Sequence, residues 1–68
     1  MNNSAKILKI LRADRTIEEM AQEIGVTPTS WEMYERGVRV PRDEVKIRIS
    51  EYFGLSVDTI FFNRQEHK

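Results

Sequence analysis

The side chains of this 68-residue chain that could hold a ligand by charge are its lysines and arginines, and nine of the eleven fall in two groups. Residues 4–15 carry Lys6, Lys9, Arg12 and Arg15 against the single acid Asp14. Residues 36–48 carry Arg36, Arg39, Arg42, Lys46 and Arg48 against Asp43 and Glu44. Between them lie Glu18, Glu19, Glu23, Glu32 and Glu35 and no base at all. Clustered cations suit phosphate, because each phosphate they neutralise releases condensed counterions. The whole-chain balance of eleven bases against eleven acids argues mildly against such a partner. Resolved along the sequence, that balance becomes two basic segments around an acidic one.

Other chemistry is poorly supplied. With no cysteine and one histidine, His67, neither a Cys-rich zinc site nor a His-based metal or catalytic centre is expected. The sequence holds no nucleophile–base–orienter set and no Gly-rich phosphate loop, and so short a chain has little room for a substrate pocket. We therefore expect neither an enzyme nor a cofactor. No apolar run approaches the roughly 18–20 residues of a membrane span, and the opening Met1-Asn2-Asn3-Ser4 has no signal-peptide layout. The expectation is one soluble cytoplasmic domain over residues 1–68, with an ordered core at about 4–62 and a polar, mobile tail from Asn63 to Lys68. A chain of this size buries only about 60 % of the surface it exposes when unfolded, so the core is modest.

The elements that must position these charges are marked by starts and stops. Gly25, Gly37 and Gly54 are each followed by an apolar residue, Val26, Val38 and Leu55, which is the signature of a helix ended by a left-handed glycine. Ser4 can cap a first helix with Ile7, Leu8, Ile10 and Leu11 on one broad face. Thr16 with Glu19 three residues on is a capping box, and Thr27-Pro28 is an N-cap followed by proline at the first helical position. Pro41 precedes a helix with Asp43 and Glu44 in its first turn, and Ser56 opens a short last one. The spacing predicts helices at about 4–14, 17–24, 28–36, 42–53 and 57–62, with Val38-Arg39-Val40-Pro41 as a loop. The fold class is all-α, a five-helix domain.

The informative segment runs from Thr16 to Gly37. A two-turn helix stops at Gly25, crosses the turn Gly25-Val26-Thr27 and restarts on Pro28; Ala21 is small enough for a close crossing, and Val26 plugs the turn. That is the layout of a helix-turn-helix, whose second helix can lie in the major groove of DNA. The segment resembles the helix-turn-helix of the bacterial and phage Cro/repressor-type family. It keeps Thr16, Glu19, Met20-Ala21, Ile24-Gly25-Val26, Thr27 and Tyr34-Glu35-Arg36-Gly37. The likeness continues through Pro41, Tyr52-Phe53-Gly54 and Leu55 to Phe62, so it covers about residues 6–62. The resemblance implies a compact lambda-repressor-like domain that binds duplex DNA as a transcription regulator, most often a repressor, and works as a homodimer.

Carried onto this chain, the resemblance makes Arg12, Thr27, Pro28, Thr29, Ser30, Glu32, Met33, Arg36 and Arg39 the candidate DNA contacts, and Phe62 a candidate dimer contact. Arg12, Arg36 and Arg39 are expected against phosphate. Ile17 stands where the family has a phosphate-touching glutamine, and Pro28, Thr29 and Met33 replace side chains that could bond a base twice. Met33 suits a thymine methyl, and Glu32 a cytosine amino group. Trp31 is expected in the core, as is Phe61. A competing reading, motivated by Ile17, Met33 and Phe62, is a protein-interaction module on the same fold, serving as antirepressor or accessory factor; it gains if Ile17, Pro28 and Met33 form one exposed apolar patch beside Glu32.

Overall fold

The computed structural model describes residues 4–62 and begins its second and third helices where the Thr16 and Thr27 capping signals fall. Helix α1 spans Ser4–Arg12, α2 Ile17–Ile24, α3 Pro28–Arg36 and α4 Asp43–Phe53, and a π-helix, Asp58–Phe62, closes the described chain. The expectations for the residues before Ser4 and after Phe62 lie outside the described residues. Thr16 and Glu19 form the reciprocal capping box, each side chain meeting the other's backbone N–H at 3.0 Å. Thr27 accepts from the Ser30 amide at 3.0 Å, with Pro28 as the first residue of α3. Together these caps satisfy N–H groups that a helix start otherwise leaves open.

The first helix ends two residues before the predicted boundary, because Ala13 turns into the left-handed region at φ 57°. A non-glycine residue there is strained, and the end is held from elsewhere. Arg15 donates from Nη1 to the carbonyl of Leu11 at 3.2 Å. Its guanidinium carbon lies 5.6 Å from the Tyr52 ring centre and 5.9 Å from that of Phe53. One arginine thus closes α1 and lays a cation on the aromatic end of α4.

The core is drawn from every helix. Leu8, Met20, Trp31, Ile49 and Ile60 are fully buried, and Ala21 lets α2 approach α3 closely. Trp31 meets Tyr34 edge to face at 6.2 Å between ring centres. Phe61 is buried and Phe62 is 47 % exposed, as two adjacent helical residues cannot both enter one core. The broad apolar face expected on α1 is narrower than its sequence suggests: Leu8 is buried and Ile7 and Leu11 pack beside it, but Ile10 is 69 % exposed. The neighbours that cover α1 are α3 and the closing π-helix, and Ile10 lies round the helix from the stripe they cover.

Candidate nucleic-acid interface

Three residues turn one side of α3 inward. Trp31 and Tyr34 enter the core, and Glu35, on the same side, accepts Arg12. Arg12 Nε lies 2.6 Å from one Glu35 oxygen and Nη2 lies 3.1 Å from the other, a bidentate pair that ties α1 to α3. The Trp31 indole N–H donates to the same carboxylate at 2.5 Å. Arg12 Nη1 reaches the Arg15 carbonyl at 2.7 Å. The Glu35 hydrogen bond holds the Arg12 guanidinium above its ordinary pKa; burial opposes this and the charge of Glu35 adds to it.

Arg12 is therefore turned inward rather than toward a phosphate, with 18 % of its side chain exposed. The reason is a partner 23 positions away that charge counting along the sequence placed in the acidic stretch between the two basic segments. The other candidates gather on one surface. At 100° per residue the side of α3 opposite the core carries Thr29, Glu32 and Arg36, all exposed, with Met33 half-buried and Pro28 exposed at the first turn. The Thr27 and Ser30 hydroxyls are engaged with each other at 3.0 Å, and Arg39 Nη1 lies 3.4 Å from Ser30 Oγ. Ile17 packs against the core, and Ile17 and Met33 are both half-buried. Ile17 and Met33 are thus less exposed than the protein-module reading would favour, while Pro28 and Phe62 are exposed.

Beside α3 an open groove of about 540 Å³ is lined by Thr27, Ser30, Arg39, Arg42, Glu44 and Arg48, among others. Three guanidinium groups facing one carboxylate make it an anion-attracting surface. Arg48 is braced there, donating to the carbonyls of Ile24 at 3.1 Å and Gly25 at 3.4 Å. Arg42 and Arg48 were not among the sequence candidates. Their signal was available: Arg42, Val45 and Arg48 recur every three residues, so the two arginines flank a core-facing valine on α4.

Lys46 belongs elsewhere. Its ammonium lies 5.1 Å from the Phe62 ring centre and 3.8 Å from Asp43, over a smaller cleft of about 230 Å³ that Ile47, Val57 and Phe62 also line. Among the described residues no group of His, Cys, Asp or Glu side chains could hold a metal ion, and no helix is long and apolar enough to cross a membrane.

A family model described as a helix-turn-helix domain matches residues 6–66. The chain belongs to this helix-turn-helix domain family. In its terms α2 and α3 are the paired helices, joined by the turn in which Gly25 takes φ 91°. The domain is also similar to the crystal structure of a transcriptional regulator from Listeria innocua, with a TM-score of 0.85 and 26 % identity. That likeness covers 100 % of this chain and 65 % of the Listeria chain, so the domain spans about two thirds of its neighbour's length. No curated protein matches it.

Proposed function

We propose that this helix-turn-helix domain binds duplex DNA as a transcription regulator of the Cro/repressor type, with α3 entering the major groove. One observation carries the reading: the outward side of α3 is free of internal partners and borders an arginine-lined groove, while its inward side is fixed to α1 and the core. Thr29, Glu32 and Met33 then lie against base edges, with Arg36 against phosphate at the end of α3. Arg39 and Arg42 meet the phosphates flanking them, and Pro28 packs against the sugar–phosphate wall. Thr27 and Ser30 act by capping the helix start. Arg12 acts through Glu35, as the strut that sets the angle of α3.

The site of action proposed is the cytoplasm, and the mode is repression, since occupying a promoter requires only the duplex contact. A second copy seats on the cleft of Ile47, Val57 and Phe62, where Ile47 is 50 % and Phe62 is 47 % exposed. Two half-sites one DNA turn apart, about 34–36 Å, match such a pair. The test is capture of genomic fragments followed by anisotropy titration at low and high salt. Saturable binding that weakens steeply with salt is the expected outcome; absence of binding at micromolar protein in low salt overturns the proposal.

A further inference from the structure

We propose that the base feature read by α3 is the C5-methyl group of a pyrimidine, met by Met33 and Thr29, so that 5-methylcytosine is read as thymine is. This rests on the duplex-binding reading above and names what that surface selects.

The structure narrows the readers by engaging the alternatives. Thr27 and Ser30 hold each other's hydroxyls, and Glu35 is occupied by Arg12 and Trp31. Among the described residues this leaves Thr29, Glu32, Met33 and Arg36 on the outward side of α3 without side-chain partners. Adenine and guanine are read by side chains that bond a base edge twice, and of these four only Arg36, in the last turn, has such a fork. Thr29 and Met33 stand one helical turn apart on one stripe, Thr29 exposed and Met33 half-buried, and each side chain carries a methyl group. Apolar contact with the thymine methyl is the base feature that both can complement.

Glu32 sharpens the choice. A carboxylate near phosphates is repelled unless a donor meets it, and the major-groove donors are the amino groups of cytosine and adenine. Thymine presents a methyl beside an acceptor oxygen; cytosine presents an amino group without a methyl. 5-Methylcytosine alone presents both, so it satisfies Glu32 and Met33 at once. Methylation of a cytosine under α3 therefore strengthens binding.

The experiment uses the full chain and the tightest genomic fragment it retains. Each thymine of the site is replaced singly by deoxyuridine, which removes the methyl alone, and each cytosine by 5-methylcytosine. At one or more positions in a half-site, deoxyuridine should weaken binding by about fourfold, the factor carried by burying one methyl-sized group. At a cytosine under Glu32, methylation should tighten it by a similar factor. Met33→Ala, with its fold verified by Trp31 emission, should bind the thymine and deoxyuridine forms equally at its position. Uniform tolerance of deoxyuridine by the wild-type chain overturns the inference while duplex binding stands. Methyl preference unchanged in both Met33→Ala and Thr29→Ala overturns it also. Failure to bind any duplex removes the underlying reading and this inference together.

Discussion

Glu35 accepts the Arg12 guanidinium on both carboxylate oxygens, at 2.6 and 3.1 Å, and accepts the Trp31 indole N–H at the same time. The carboxylate is 7 % exposed, so little water is available to replace a lost partner. Arg12→Met should destabilise the domain by about 1–3 kcal/mol. Glu35→Ala should cost more, about 2–4 kcal/mol, because it strands both a guanidinium and a fully buried indole N–H. Urea titration followed by emission of the chain's single tryptophan measures both. Equal stability of wild type and Glu35→Ala would remove the strut.

The same pair fixes a pH response. The Arg12 pKa is raised by its Glu35 hydrogen bond, so its folded value exceeds its unfolded one. A raised folded value contributes stability that is complete below the unfolded pKa and fades only as pH climbs through the folded one. For an arginine that window begins above about pH 12. The stability difference between wild type and Arg12→Met should therefore stay constant from about pH 7 to about pH 10. A difference that shrinks over this interval would show that some other group carries the effect.

Gly25 and Gly54 offer a matched comparison. Both take left-handed backbone, at φ 91° and 70°, but a Cβ at Gly25 would lie 2.6 Å from Arg48 Nη1, whereas one at Gly54 meets nothing within 4 Å. Gly54→Ala should cost the backbone penalty alone, about 1 kcal/mol. Gly25→Ala should cost about 1 kcal/mol more, since it also displaces Arg48 from the last carbonyls of α2. In an Arg48→Ala background the two glycine substitutions should cost the same, and thermal unfolding of the four variants decides it.

Phosphate contact has its own signature. Replacing Arg39 or Arg42 by Ala should weaken binding to every duplex sequence alike. Each should lower the slope of log affinity against log salt by about 0.9. Arg12→Ala, with its guanidinium turned inward, should leave that slope unchanged. An unchanged slope in Arg39→Ala and Arg42→Ala alike would take the groove out of the interface.

Phe62→Ser tests the second copy. The ring is 47 % exposed, so its loss should shift the unfolding midpoint little. It should raise the protein concentration needed for dimerisation, seen in sedimentation, and flatten cooperativity on a two-half-site duplex. Unaltered sedimentation and cooperativity would place the contact between copies elsewhere.

The helix boundaries were legible wherever local chemistry decides them. Gly25, Gly37 and Gly54 stop helices as their apolar followers predict, with the Val26 amide bonded back to Ala21 at 2.9 Å, Val38 to Met33 at 3.1 Å and Leu55 to Ser50 at 3.2 Å. Trp31 was legible as core from the family resemblance, and Phe61, rather than its neighbour Phe62, from their consecutive helical positions. The end of α1 was not, because Ala13 takes a glycine's conformation that its residue type does not signal. Nor was the role of Arg12. An arginine among bases reads as a phosphate contact until the fold brings a buried carboxylate to it. The groove residues Arg42 and Arg48 escaped for the opposite reason: their shared flank of α4 was visible in the spacing, but its placement against the start of α3 is tertiary.

Arg15 joins parts of the chain that are remote in sequence. Its hydrogen bonds close the first helix, and its charge rests on Tyr52 and Phe53 near the end of the fourth. The α1 terminus gains a tertiary contact when α4 docks, and α4 loses a partner when α1 frays. Opening at either end is thereby coupled to opening at the other.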